Sequence, residues 1–325
     1  MAESNNDDMF KKMSEARDRY QAKAMSIPGV FGTSIGIRQV LGKIVAEPAI
    51  IFHVEKKRSL QAIPADERVP KELEGFPTDV VGQEPSATGE AARTQSANVN
   101  DESRYRPLKG GCQIAEGKTS TYGLGTLGCV VKYTGPTGPG DLRNGATYVL
   151  SAAHVMLGVG NTICQPLKSS DKIGSVVASV LDADMDAAIS DIGWNLNEAV
   201  PEIIDIGPVK GFHDVTLDEL TSSHNDYKVK KRGRTTGLTF GGVYGLNFNG
   251  FNSPGEDKRA VNNLMMIQAS GNGVFGDHGD SGSVVLNNAG QVVGLLTAMG
   301  ATGAIASAIP ISTVLRRLQI EILTG

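Results

Sequence analysis

The part of the sequence between Thr126 and Ala308 is a succession of short apolar runs separated by Gly, Pro and Asp residues. Such runs predict β-strands, because apolar and β-branched side chains suit a pleated sheet while Gly, Pro and Asp favour turns. The first group of runs comprises residues 127–133, 147–153, 161–165, 173–181 and 186–192. The second group comprises residues 227–234, 239–248, 263–269, 283–286, 292–297 and 303–308. Evenly spaced short strands close into barrels or sandwiches, so we expect two tandem antiparallel β-barrels, at about 107–195 and about 227–309.

A small α/β domain is predicted in front of the barrels, over residues 1–82. Residues 7–25 have the apolar spacing of a helix, at Phe10, Met13, Ala16, Tyr20 and Ala24. We expect this helix to pack on its own domain. The alternative, a helix on a membrane surface, is disfavoured because basic residues do not dominate its polar face. The runs 30–40, 49–54 and 75–81 predict the strands of this domain.

Two further segments complete the predicted organisation. Residues 83–106 contain few apolar side chains and are rich in Ser, Thr, Ala, Asn and Glu, which predicts a linker. Residues 310–323 begin with Pro and have helical apolar spacing, which predicts a C-terminal helix. We therefore expect a mainly β chain whose residues 107–325 form the two barrels and the final helix.

Charge and cysteine content exclude several classes of protein. The 325-residue chain has a net charge of −4, which implies no global attraction to nucleic acid or to a membrane. Its three cysteines, Cys112, Cys129 and Cys164, form no CxxC pair, so neither a metal site nor a disulfide scaffold is predicted. No apolar segment follows the acidic N-terminus, and no run approaches membrane-spanning length. We expect a soluble protein of the reducing cytoplasm that uses no cofactor.

The stretch Gly276–Ser283 carries the most informative motif. It reads as a sharp turn that presents Ser281, followed at once by the apolar strand Val284–Leu286. Glycines at positions 279 and 282 let the backbone approach a reacting atom closely, because no Cβ is present to obstruct it. An ordinary glycine turn between two strands is the alternative, since Asp-Ser-Gly is common in turns.

A histidine and an aspartate upstream provide the other groups that serine hydrolysis requires, a base and an orienting carboxylate. His154 follows a predicted strand and has small residues around it. Among the acids near residue 186 we choose Asp186, because the apolar residues after it place it at a buried strand start, where a carboxylate needs a donor. Asp184 is the second choice. The order His, Asp, Ser differs from that of α/β-hydrolases and subtilisins and is the order of chymotrypsin-type barrels.

These motifs resemble the trypsin-like serine proteases of the chymotrypsin fold. The resemblance rests on Ser151-Ala-Ala-His154, Asp186-Ala-Ala-Ile and Gly279-Asp-Ser281-Gly, and it covers residues 107–325. It implies that Ser281 is the nucleophile, His154 the general base and acid, and Asp186 the orienting carboxylate. It also implies that the N–H groups of Gly279 and Ser281 form the oxyanion hole. The segments Arg106-Pro-Leu-Lys-Gly-Gly and Gly233-Arg-Thr-Thr-Gly are most similar to bacterial cytoplasmic and plant narrow-leaf-type members.

The chain also departs from the family pattern. In trypsin, a new N-terminus freed by cleavage pairs with the aspartate before the serine, but no Ile-Val-Gly-Gly start lies near residue 107, so Asp280 needs another partner. The position of the trypsin specificity aspartate falls on Phe275, so no preference for Arg or Lys is expected. The resemblance implies substrate contacts at Phe275, His278, Thr297 and Ala298.

A serine endopeptidase acting on a protein or peptide substrate is therefore the leading hypothesis. Its N-terminal domain is expected to contact a protein partner or to keep the enzyme latent until the linker is cut. The rival hypothesis is a catalytically silent protease fold that acts as a binding module. Neither nucleic acid nor membrane is an expected partner.

The alternating cations Lys228, Lys230, Arg232 and Arg234 are expected on one face of a strand. We expect that face to be solvated. A groove for acidic substrate or nucleic acid is the alternative.

Overall fold

The computed structural model describes residues 5–40, 43–82, 99–117, 124–137, 142–167, 171–193, 199–222, 227–252, 258–271 and 273–325. Four helices lie in these ranges: α1 (Asn5–Ala24), α2 (Ala153–Met156), α3 (Leu217–Ser222) and α4 (Ile311–Leu318). No helix within the described ranges is long and apolar enough to cross a bilayer. The remaining regular structure is almost entirely β.

The second predicted barrel is closed. Its six strands are β15 (Tyr227–Gly233), β16 (Gly237–Phe251), β17 (Ala260–Ala269), β18 (Val284–Asn287), β19 (Val292–Met299) and β20 (Ile305–Pro310). Around the barrel the order is β15-β18-β19-β20-β17-β16, and the pairing of β15 with β16 closes the ring. All neighbouring strands in this ring are antiparallel.

The first predicted barrel is a curled eight-stranded sheet with the order β21-β8-β9-β12-β11-β10-β6-β7. Its strands are β6 (Gln113–Glu116), β7 (Leu124–Thr126), β8 (Val130–Tyr133), β9 (Thr147–Ser151), β10 (Thr162–Cys164), β11 (Lys172–Leu181), β12 (Asp186–Ser190) and β21 (Ile320–Ile322). The two sheets together form the chymotrypsin-like arrangement, and the predicted fold class is confirmed.

The strands of the N-terminal region extend the sheet of the closed barrel. They are β1 (Val30–Val40), β2 (Lys43–Val54), β3 (Glu72–Leu73) and β4 (Phe76–Gly82). Strand β16 pairs with β15 through its first half and with β1 through its second half, and β2, β4 and β3 follow in that order. Helix α1 covers these strands with Met13 and Ala16 buried against Ile35, Ile50 and Phe52.

Several parts of the chain differ from the sequence prediction, and β6 and β7 lie before the first predicted run. The expected polar connection 195–226 contains β13 (Ala199–Ile203), β14 (Gly207–Pro208) and α3, and β13 pairs in parallel with β5 (Leu108–Gly110). The C-terminal helix ends at Leu318, earlier than expected, because Gln319 adopts a left-handed conformation. Strand β21 then returns to the first sheet beside β8.

Candidate active site

His154 and Asp186 meet at adjacent strand ends of the first sheet. Strand β9 leads directly into the short helix α2 that carries His154, and Asp186 begins the neighbouring strand β12. His154 Nδ1 lies 2.6 Å from Asp186 Oδ2, and the His154 backbone N–H donates to Oδ1 of the same carboxylate at 3.0 Å. The side chain and the backbone of His154 are thus both held by one buried acid.

Two further donors from the second barrel reach Asp186. The Thr297 hydroxyl on β19 donates to Oδ2 at 3.0 Å, and a guanidinium nitrogen of Arg259 donates to the same oxygen at 3.2 Å. Burial pushes the pKa of Asp186 upward, but its bonds with His154 and the charge of Arg259 lower the pKa to about 2. Asp186 is therefore an anion near neutral pH. Nothing in the sequence singles out Arg259, because it lies far along the chain from Asp186.

The Ser281 turn packs directly against the first sheet beside α2. The Ser281 carbonyl accepts from the Thr126 N–H at 2.9 Å, and Ser151 Oγ donates to the Thr126 carbonyl at 2.8 Å. Gly282 has a φ of +88°, and a Cβ there would lie 2.1 Å from Ser151 Oγ and 2.9 Å from the Ala152 nitrogen. Only glycine permits this approach, which brings the Ser281 turn next to the residues that precede His154.

The acid before the serine has a buried cation as its partner. Lys231 Nζ lies 3.0 Å from Asp280 Oδ2, and both side chains are 0 % exposed. Asp280 also accepts from the Thr236 hydroxyl, at 2.6 Å, and from the backbone N–H groups of Thr235, Thr236 and Asp277, at 2.8 to 3.2 Å. This network holds the turn from its buried side. Lys231 is thus the partner of Asp280 that the sequence analysis left unassigned.

Some backbone N–H groups of the Ser281 turn donate within the protein, and two others do not. The Asp280 N–H donates to the Asp277 carbonyl, and the Gly282 N–H donates to the Leu296 carbonyl. Among the residues that the structure describes, the N–H groups of Gly279 and Ser281 donate no hydrogen bond. Gly279 has a φ of +98°, and a Cβ there would lie 2.4 Å from Thr235 Oγ1. These two N–H groups are consequently available to an external acceptor.

The four residues expected to contact substrate lie in different environments. Phe275 is 0 % exposed within the core of the closed barrel, and its carbonyl accepts from the Thr239 hydroxyl. Thr297 is buried and donates to Asp186, whereas Ala298 lines a narrow cleft with Met299. His278 is exposed. The substrate contacts stay predictions.

The prediction that the four alternating cations at β15 lie on a solvated face is wrong for two of them. Arg232 and Arg234 are buried, and they bind Asp101 and Glu102 respectively, whereas Lys228 is exposed and Lys230 half-buried. Both acids lie within the predicted linker 83–106, of which residues 83–98 lie outside the described ranges. Across the described ranges, no group of three or more His, Cys, Asp or Glu side chains could hold a metal ion.

Comparison with solved structures finds serine proteases of low sequence identity. Protease A of Thermobifida fusca is 20% identical, with a TM-score of 0.49 over 67% of this chain and 99% of that one. Chymotrypsin of Cellulomonas bogoriensis is 19% identical, with a TM-score of 0.47 over 67% and 99%. These values identify neither a family nor a substrate for the chain. No family model and no curated protein matches the sequence.

Proposed function

We propose that the protein is a serine endopeptidase in which Ser281, His154 and Asp186 form the catalytic triad. The observation that carries this proposal is the 2.6 Å bond between His154 Nδ1 and the buried Asp186, beside a serine turn with two uncommitted N–H groups. A base oriented by a buried carboxylate, next to a nucleophile and an oxyanion site, is the arrangement that acyl transfer needs.

In the proposed reaction, Ser281 Oγ attacks the carbonyl carbon of the scissile peptide bond. His154 Nε2 takes the hydroxyl proton, while Asp186 keeps the Nδ1–H tautomer and stabilises the imidazolium that forms. The N–H groups of Gly279 and Ser281 bind the negative oxygen of the tetrahedral intermediate. His154 then returns the proton to the leaving amine, and a water molecule, activated in the same way, hydrolyses the acyl-enzyme.

We also propose that activity does not require cleavage at the N-terminus. Lys231 supplies a counter-charge to Asp280 from within the second barrel. The turn that carries Gly279 and Ser281 is therefore held in place without a new chain terminus. We also propose a reducing, cytoplasmic location, because Cys112, Cys129 and Cys164 are free and buried.

Turnover of a denatured protein substrate tests the function. The wild-type chain is expected to cleave it, Ser281→Ala to show only background, and Asp186→Asn to lose about 10⁴-fold in kcat because the imidazole adopts the wrong tautomer. Lys228→Met, an exposed change on β15, serves as the control and should retain full activity. Absence of cleavage by a folded wild-type protein would instead favour the silent binding module.

A further inference from the structure

The N-terminal region contains a cleft of about 730 Å³ to which the proposed reaction assigns no role. We call it the N-terminal cleft. One side is formed by the sheet, at the end of β2 and the middle of β4, and the other by the long loop 55–71 with its two short 3-10 turns, Leu60–Ala62 and Ala65–Glu67. Loops of this length without strands or α-helices of their own often carry function. None of the proposed catalytic residues lines the cleft.

The inner surface of the N-terminal cleft is apolar. Val54 is buried at its floor, and Ile63, Val69 and Val80 are each partly exposed to the space. Leu60 lies at the edge with 65% of its surface exposed, which is unusual for an aliphatic side chain of this size. A volume of this size lies in the range of sites that bind ligands or several side chains of a partner.

Cations surround this apolar surface. The lining includes six Lys and Arg residues against three Asp and Glu residues, although the whole chain carries a net charge of −4. Two of the acids already have partners within the protein: Glu67 lies 3.7 Å from Arg58, and Asp79 accepts the Val80 N–H. Among the cations, Arg58 belongs to that pair and Arg38 lies 2.6 Å from Glu47. The local charge is therefore positive and favours an acidic partner.

The distribution of the cations indicates what kind of acidic partner fits. Lys57 and Arg58 come from the start of the loop 55–71, whereas Arg68 and Lys71 come from its end. A second cavity of about 700 Å³ adjoins the first, shares Arg68 and Lys71, and adds Lys23 together with Asp66. Cations that come from both ends of a long loop and line two adjoining cavities suit a linear chain with several carboxylates better than a single compact head group.

We propose that the N-terminal cleft binds an extended acidic peptide, whose apolar side chains enter the cleft while its carboxylates pair with the surrounding lysines and arginines. Such a site would recruit protein substrates or partners in which acidic and apolar residues alternate. The proposal stands whether or not the chain is a protease.

Fluorescence anisotropy on the full chain tests the proposal. The probe is a fluorescein-labelled peptide that alternates Glu with Leu, and the protein carries Ser281→Ala so that binding cannot be confused with cleavage. We expect saturable binding that weakens as salt rises, because exposed charges are screened. The same peptide with Gln in place of Glu should bind at least about tenfold more weakly.

Matched variants assign the binding to the cleft. Lys57→Glu combined with Lys71→Glu is expected to weaken peptide binding at least about tenfold, and Leu60→Ser about fivefold through lost apolar contact. The control, Lys172→Glu with Lys228→Glu, changes the net charge equally at exposed lysines outside the cleft and should bind like the parent. Equal loss in the control, or binding to phosphatidylglycerol vesicles but not to the peptide, would overturn the proposal.

Discussion

Lys231 shows at the scale of one residue how the proposed active site is stabilised. A buried charge is tolerated only when it is paired and hydrogen-bonded, and breaking such a pair is costly because the other charge stays buried. Burial lowers the pKa of Lys231, and the neighbouring Asp280 carboxylate opposes that shift. Because Asp280 belongs to the same turn as Ser281, the ion pair couples folding of the barrel to the shape of the site.

Replacing Lys231 by Met should therefore destabilise the protein by about 3 kcal/mol, since Asp280 keeps its backbone donors but loses its counter-charge. The measurement is the free energy of unfolding in urea. Lys228→Met, an exposed lysine of the same strand, is the control and should change that free energy by less than about 0.5 kcal/mol. Similar stabilities for the two variants would refute the role given to Lys231.

Asp186 leads to a prediction about pH. An unfolded Asp has a pKa of about 3.9, whereas in the folded protein the pKa of Asp186 is lowered to about 2. The resulting stabilisation is fully present above the unfolded pKa and is lost as pH falls through about 2; the part lost between pH 7 and pH 2 is about 2 kcal/mol. The difference in unfolding free energy between wild type and Asp186→Asn should shrink by that amount between pH 7 and pH 2. A constant difference across this range would contradict the assignment.

The residues of the site were predictable to different degrees. His154, Asp186 and Ser281 were predicted from three motifs taken together in chain order, and Asp186 was a choice among neighbouring acids. The buried position of Lys231 could have been predicted from the alternation of side chains along β15. Lys231 shares the inward face of that strand with Val229 and Gly233, where a charge needs a partner. No sequence feature pointed to Arg259, since only the folded chain brings it to Asp186.

At the scale of elements, the segment 99–106 ties the two barrels together. The backbone N–H groups of Asn100 and Asp101 donate to the carbonyls of Thr235 and Arg234 in the second barrel. The Asp101 carboxylate binds the buried Arg232 and accepts from the Tyr105 hydroxyl at 2.7 Å. At its other end, Tyr105 and Arg106 donate to the Gln165 side chain of the first barrel. The segment therefore acts as a strap across both barrels.

We expect Asp101→Ala to lower the free energy of unfolding by about 3 kcal/mol, because it leaves the buried Arg232 guanidinium without its main partner. Arg104→Ala is a fitting control, since it removes a surface pair with Asp171 from the same segment and should cost at most about 1 kcal/mol. Thermal or urea unfolding of both variants provides the comparison. Equal losses of unfolding free energy in the two variants would mean that the strap stabilises the protein no more than a surface ion pair does.

The strands were the most predictable elements and the connections the least. Apolar runs between turn residues located most strands of the two sheets, but β6 and β7 lie before the first predicted run and β21 was predicted as part of the final helix. Strands β13 and β14 and helix α3 escaped prediction because their segment was read as a polar connection, whereas Ile203, Val209 and Leu220 within it are buried in the core. The end of α4 was misplaced because Ile320 and Ile322 continue an apolar spacing that also suits a strand.

At the scale of the whole molecule, the N-terminal strands and the second barrel share one sheet and one core. Phe31, Ile37 and Ile51 belong to the same buried cluster as Leu246 and Phe248 of β16. Separating residues 1–82 from the barrel would expose this apolar surface and the paired edge of β16. Hydrophobic burial of this extent favours a stable association of the two parts.

A cut within residues 83–98 should consequently leave the two fragments bound to each other. A specific protease site inserted there, followed by size-exclusion chromatography of the cleaved protein, provides the measurement. We expect co-elution and less than about a twofold change in turnover, since both the shared core and the strap persist. Release of the N-terminal fragment together with a large gain in activity would support the latent-protease hypothesis instead.

The central claim, that Ser281 is an activated nucleophile, is tested most directly by a fluorophosphonate probe followed by mass spectrometry of the labelled protein. We expect a single adduct that maps to Ser281, is absent from Ser281→Ala and forms much more slowly in His154→Ala. Equal labelling of wild type and Ser281→Ala, or no adduct on a folded wild-type protein, would contradict it.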